Sequence, residues 1–247
     1  MPLQQRICKG ASVTIMAARE QAELEQLTQK YQAERVLADV TKPEECEQVV
    51  DQTIQRFGHV DILVNNAGRG MKYVNPLFSD GVHTLLGDRT FCLANDYRHE
   101  CQWTLLYDAR SCDPAVLEQQ REGSIINISM NYEGMKRRGF SPYGPSKAAL
   151  ESALAIWAQE LIEARIRVNV LLPGGITRTG MLPVETPMDV VLSNQARLLQ
   201  PEIMQAPAVF LASDDARKLT GRRLIAVEWS AAKPQGRAIV EEIGCPQ

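Results

Sequence analysis

Asp61-Ile-Leu-Val-Asn-Asn-Ala-Gly68 is a short apolar run that stops at a cluster of small and amide residues. Its apolar positions do not alternate with polar ones, which suits a strand buried on both faces. Strands of that kind build parallel sheets, and parallel α/β sheets bind ligands at the carboxyl ends of their strands. Asn65-Asn66-Ala67-Gly68 stands at such an end. Its small residues let a flat ring approach the backbone, and its amides can bridge neighbouring segments. An ordinary Asn/Gly turn after a strand reads the same way, so this tetrapeptide alone leaves both readings open.

Moving outward, short runs rich in β-branched residues recur at Ser12–Met16, Arg35–Ala38, Val60–Val64, Ser124–Ile128, Arg167–Leu171 and Arg222–Val227. Longer helical stretches separate them. Glu20–Tyr31 is rich in Glu, Gln and Leu. Pro43–Phe57 opens with Thr41 as the expected N-cap, Pro43 in the first turn, and Glu44 and Glu45 where acids favour the helix dipole. Ser146–Ala164 is long and Ala-rich. Strand alternating with helix predicts βαβ units: an α/β chain with a doubly wound parallel sheet. Residues 1–230 are expected to form one domain, followed by a polar tail over 231–247. Residues 70–122 carry turn signals (Asn75–Pro76, Gly87–Asp88, Asp113–Pro114) and no clean helical period until Glu100–Asp108. One or two helices with irregular links are expected there.

Composition narrows the functional classes. Of 247 residues, 45% are hydrophobic and 23% charged, which excludes a disordered chain, a collagen or a coiled-coil rod. Lys plus Arg is 27 and Asp plus Glu is 30, giving a formal charge of -3. Without a basic run there is no stripe for nucleic-acid phosphates and no polybasic membrane anchor. The six cysteines are scattered with no CxxC pair, and His59, His83 and His99 lack ligand spacing, so no metal site is expected. There is no signal-like start and no apolar run of the ~18 residues that a membrane helix requires. The expected location is the cytoplasm.

Two further segments carry chemistry. Tyr143-Gly-Pro-Ser-Lys147 places Tyr and Lys one helical turn apart on one face. A nearby ammonium stabilises a phenolate, so the phenol can exchange a proton with a carbonyl or alcohol oxygen near neutral pH. An isolated YxxxK is more often a surface pair, but this one follows strand Ser124–Ile128 by about the length of one active-site loop. Val168-Asn-Val-Leu-Leu-Pro-Gly-Gly-Ile-Thr-Arg-Thr-Gly-Met181 runs a buried strand into Pro-Gly-Gly and then hydroxyl residues. Such a loop can offer backbone N–H groups and Thr hydroxyls to an amide ring or a phosphate.

Asp39-Val40, Asn65–Gly68, Ile126–Ser129, Tyr143–Lys147, Pro173–Ile176 and Leu211–Leu224 stand in an order and spacing that resembles the short-chain dehydrogenase/reductase family. The resemblance covers roughly residues 10–70 and 123–225. It implies a Rossmann-type domain, a nicotinamide cofactor, and hydride transfer to or from a small-molecule carbonyl or alcohol. It implies Tyr143 as general acid/base, with Lys147 lowering its pKa and holding the nicotinamide ribose. Asp39 would sit by the adenine ring, Asn66, Ala67 and Gly68 would line the cofactor cleft, and Gly174, Ile176 and Thr179 would contact the nicotinamide end. After the second strand the chain reads Ala17-Ala18-Arg19, and an Arg there accepts a ribose 2′-phosphate, which favours NADP(H) over NAD(H). The family also leaves room for a homo-oligomer.

Three positions depart from the family pattern. The opening strand and its TGxxxGxG turn are missing; Gln4–Ser12 reads as the end of the first helix. The catalytic serine position holds Met130, with Ser129 and Asn131 beside it as substitutes. The strand end Ala226-Val-Glu-Trp-Ser230 lacks the usual glycines. The helix that usually supplies a structural Asn is not recognisable, with Asn95 as a candidate and the Trp103 region as the expected place. Two alternatives follow: a catalytically impaired, scaffold-like pseudoenzyme, or a redox-neutral isomerase or cyclase of secondary metabolism that uses Tyr143 as an acid.

Overall fold

A computed structural model describes residues 12–17, 25–26, 28–30, 33–68, 122–141, 143–179 and 198–239. Strands β1 (Thr14–Ala17) and β2 (Glu34–Leu37) pair in parallel, and helix α1 (Pro43–Phe57) follows. Then come β3 (Ile62–Asn65), β4 (Gly123–Ile128), the short α2 (Tyr132–Met135), the long α3 (Tyr143–Glu160) and β5 (Ile166–Leu172). A 3-10 turn at Pro201–Met204 leads into α4 (Gln205–Leu211), then β6 (Arg222–Ile225) and β7 (Arg237–Ala238). The larger sheet has the order β3-β4-β5-β6-β7, parallel through β6, with β7 antiparallel at its edge. The result is a single-domain, Rossmann-like α/β fold.

The central apolar runs, β4 and β5, form strands whose side chains bury on both sides. Ile125 and Ile126 are adjacent in β4 and both fully buried, yet they enter different clusters. Ile125 packs with Leu150, Leu154 and Ala158 of α3, whereas Ile126 packs with Leu171, Leu211 and Leu224. Period-two alternation therefore feeds two apolar layers, one on each face. Val168, Val170, Leu171 and Leu172 of β5 are likewise fully buried, as a central strand requires. A separate cluster of Val36, Ala38, Val40, Cys46 and Val49 joins the β2 region to α1.

Among the described residues, β1 pairs with β2 alone and β3 with β4 alone, so the strands make two sheets rather than one. Ile62 and Val64 of β3 keep 42% and 44% of their surface exposed.

Some sequence expectations change. Lys42, not Thr41, precedes the first turn of α1, and no side chain caps it. Thr41 instead donates to Asp39 from its backbone N (2.9 Å) and its hydroxyl (2.8 Å). Glu45 reaches back to accept the Asp39 N–H at 2.7 Å. The Asx turn thus removed Thr41 from the cap role. Helix α3 begins at Tyr143, earlier than Ser146, and ends at Glu160, short of Ala164. The polar stretch after Ser230 is not a free tail throughout: Arg237–Ala238 pairs with β6, and Ile239 is fully buried. Among the described residues no helix is long and apolar enough to cross a membrane.

Candidate active site

The carboxyl ends of β3, β4 and β5 lie along one edge because the three strands are parallel and adjacent. That edge carries Asn66–Gly68, Ser129–Met130 and Pro173–Ile176. Helix α3 begins near it, with Tyr143 in its first turn and Lys147 one turn further on. Lys147 is only 4% exposed. Its Nζ donates to the Ile128 carbonyl at 2.8 Å and lies 5.7 Å from the centre of the Tyr143 ring. The end of β4 therefore holds the ammonium beside the phenol.

The sequence-derived residues fall into groups. Asn66, Ala67 and Gly68 are exposed just past β3, so their backbone is open to a flat ligand. Asn65 bridges instead: its Nδ2 donates to Asn127 Oδ1 at 2.8 Å, between residues in matched register on β3 and β4. Gly174 has φ 92°, and Ile176 and Arg178 are laced by backbone hydrogen bonds to Leu199. Thr179 is exposed at the end of this loop. Asp39 is half-buried at the end of β2, with Oδ1 engaged by Thr41. Arg19, Asn95 and Trp103 lie outside the described residues.

Ser129 and Met130 part company, as adjacent residues at a strand end should. The Ser129 side chain is buried and its hydroxyl donates to Glu151 Oε1. Met130 is half-buried, and its methyl lies where a Cβ on Gly134 would stand, so Gly134 makes room for it. A thioether offers no proton to a substrate oxygen.

Three residues of this neighbourhood escaped sequence reading. Glu151 is fully buried and accepts from Ser129, from the Tyr132 hydroxyl at 3.0 Å, and from Arg223 Nε at 3.2 Å. Arg223 Nη2 also donates to the Met130 carbonyl at 2.7 Å, and its guanidinium lies 4.2 Å from the centre of the Tyr132 ring. Glu151 could have been found by extending the Tyr143/Lys147 stripe one more turn. Among the described residues no group of three or more His, Cys, Asp and Glu could hold a metal ion.

Residues 5–226 match the family model described as Enoyl-(Acyl carrier protein) reductase. An uncharacterized oxidoreductase of Mycobacterium tuberculosis is 33% identical over 226 residues, covering 87% of this chain and 81% of the relative. A crystal structure of 3-ketoacyl-(acyl-carrier-protein) reductase from Brucella melitensis complexed with NADH superposes with TM-score 0.73 at 26% identity, covering 90% of this chain and 88% of that one. A blue fluorescent protein from a metagenomic library, in complex with NADPH, gives TM-score 0.71 at 25% identity, covering 90% and 89%. Together with the parallel sheet and the Tyr143/Lys147 arrangement at its carboxyl edge, these matches establish that the chain belongs to the short-chain dehydrogenase/reductase family of NAD(P)-dependent oxidoreductases.

Proposed function

We propose that the protein transfers a hydride between NADP(H) and a small carbonyl or alcohol, with Tyr143 as the general acid/base. The observation that carries this reading is the buried Lys147, whose Nζ stands 5.7 Å from the Tyr143 ring centre at the carboxyl end of β4. An ammonium so placed favours the phenolate and lets Tyr143 give or take a proton at the substrate oxygen near neutral pH.

The residues present suit a nicotinamide dinucleotide. Asn66, Ala67 and Gly68 offer exposed, small-residue backbone beside β3, and the loop 173–179 flanks the same edge. Gly174, Ile176 and Thr179 would hold the nicotinamide end, Lys147 the ribose, and Asp39 the adenine side. The nicotinamide ring supplies or accepts the hydride when bound. Arg19, preceded by Ala17 and Ala18 rather than by an acid, favours the 2′-phosphate and hence NADP(H). The solved relatives described with NADH and with NADPH support a nicotinamide cofactor. The relative that reduces 3-ketoacyl groups makes a 3-ketoacyl thioester a reasonable member of a substrate panel.

A second reading, an impaired enzyme that has kept the fold, is favoured by one observation. The Ser129 hydroxyl is committed to Glu151 and position 130 is Met, so neither residue donates to a substrate oxygen. Calorimetry with NADPH and NADPH oxidation over a carbonyl panel separate the two. Micromolar binding with turnover supports the reductase. Absence of binding at millimolar NADPH sinks it.

A further inference from the structure

Three successive residues at the end of β4 are each held by a different charged group. The Ile128 carbonyl accepts from Lys147 Nζ at 2.8 Å. The Ser129 hydroxyl donates to Glu151. The Met130 carbonyl accepts from Arg223 Nη2 at 2.7 Å. Glu151 and Arg223 are themselves paired, with side-chain exposures of 0% and 3%. Lys147 and Glu151 share one stripe of α3, a helical turn apart. Arg223 arrives from β6, in register with Val170 of β5.

We propose that the Glu151–Arg223 pair is a positioning device: it fixes the carboxyl end of β4, and through the Ile128 carbonyl it fixes the Lys147 ammonium beside Tyr143. This inference rests on the acid/base reading of Tyr143. Stability alone is a weak reason for such a pair, because buried ion pairs are often replaceable by apolar residues without loss. Geometry is a stronger one. Each partner has a second contact on residues 129–130, so the pair transmits its rigidity to that segment. Arg223 also neutralises a carboxylate that would otherwise draw Lys147 away from the phenol.

The test needs no substrate. The ionisation midpoint of Tyr143 is read as the tyrosinate absorbance difference between each protein and the same protein carrying Tyr143→Phe. Thermal unfolding is recorded in parallel. Arg223→Met is expected to raise the midpoint by about one pH unit or more, a tenfold change in the ionisation constant. Glu151→Gln combined with Arg223→Met is expected to recover much of the thermal stability while the midpoint stays raised, since the Met130 carbonyl remains unheld. Arg223→Lys keeps a charge for Glu151 but cannot also span to Met130, and is expected to fall between. Tyr132→Phe removes one bond to Glu151 without threatening the fold, and is expected to shift the midpoint the same way by less. A lowered midpoint in the unsubstituted protein, unchanged in both the double variant and Tyr132→Phe, overturns this inference alone. A midpoint near the ordinary tyrosine value of about 10 in the unsubstituted protein overturns the acid/base reading, and this inference with it.

Discussion

The Glu151 carboxylate and the Arg223 guanidinium meet 3.2 Å apart, with side-chain exposures of 0% and 3%. Removing one partner leaves the other charged and dry. Arg223→Met is therefore expected to lower the unfolding free energy by about 3–5 kcal/mol. Urea titration of the two proteins checks this. A loss below about 1 kcal/mol would mean that water reaches Glu151.

Met130 stands where the family pattern places a hydroxyl, and its methyl packs over Gly134. Met130→Ser adds the missing donor toward the substrate oxygen. An added donor of this kind is worth on the order of 2.7–4 kcal/mol, so kcat with NADPH is expected to rise by about 10²–10³-fold. An unchanged or lower kcat would show that the reacting oxygen does not approach position 130.

Leu154 is fully buried at the centre of the layer that joins α3 to β4 and β5. Leu154→Ala is expected to cost about 2–5 kcal/mol, part lost transfer energy and part cavity. Chemical denaturation measures it. A smaller cost would indicate that α3 relaxes inward.

Cys46 is buried under β2, with Sγ donating to the Val40 carbonyl at 3.6 Å. Burial pushes its thiol up from 9.0 to about 11. A raised folded-state pKa favours the folded protein below the unfolded value and loses that advantage as pH climbs. The Cys46 contribution is thus complete below pH 9.0 and lost toward pH 11. Comparing the stability of Cys46→Ala with the parent across that range isolates it. The thiol is also expected to resist alkylation at pH 8 until the protein is unfolded.

Much of the fold was legible because local chemistry and tertiary burial agree. Helix α1 spans Pro43–Phe57 as its pattern predicts, since Pro43, Glu44 and Glu45 all suit a first turn. The parallel strands of the larger sheet fall within a few residues of the apolar runs, and the central pair β4 and β5 bury both faces, as an uninterrupted apolar signature implies. Thr41 misled because an Asx turn at Asp39 competes for its hydroxyl. Ile239 misled because the three-residue run Ala238–Val240 is too short to carry a period in a polar stretch, yet Ile239 fills the core. In the candidate site, the shared helix face of Tyr143 and Lys147 was legible from helical spacing. Arg223 was not, since it approaches Glu151 from a strand far along the chain and only the sheet order brings it there.

Tyr143→Phe tests the redox assignment most directly. With saturating NADPH and whichever carbonyl of the panel turns over fastest, kcat is expected to fall by about 10²–10⁴-fold, with NADPH affinity held within a few-fold. A variant that keeps the parent's kcat would show that this phenol moves no proton, and that the hydride chemistry, if present, is run by other groups.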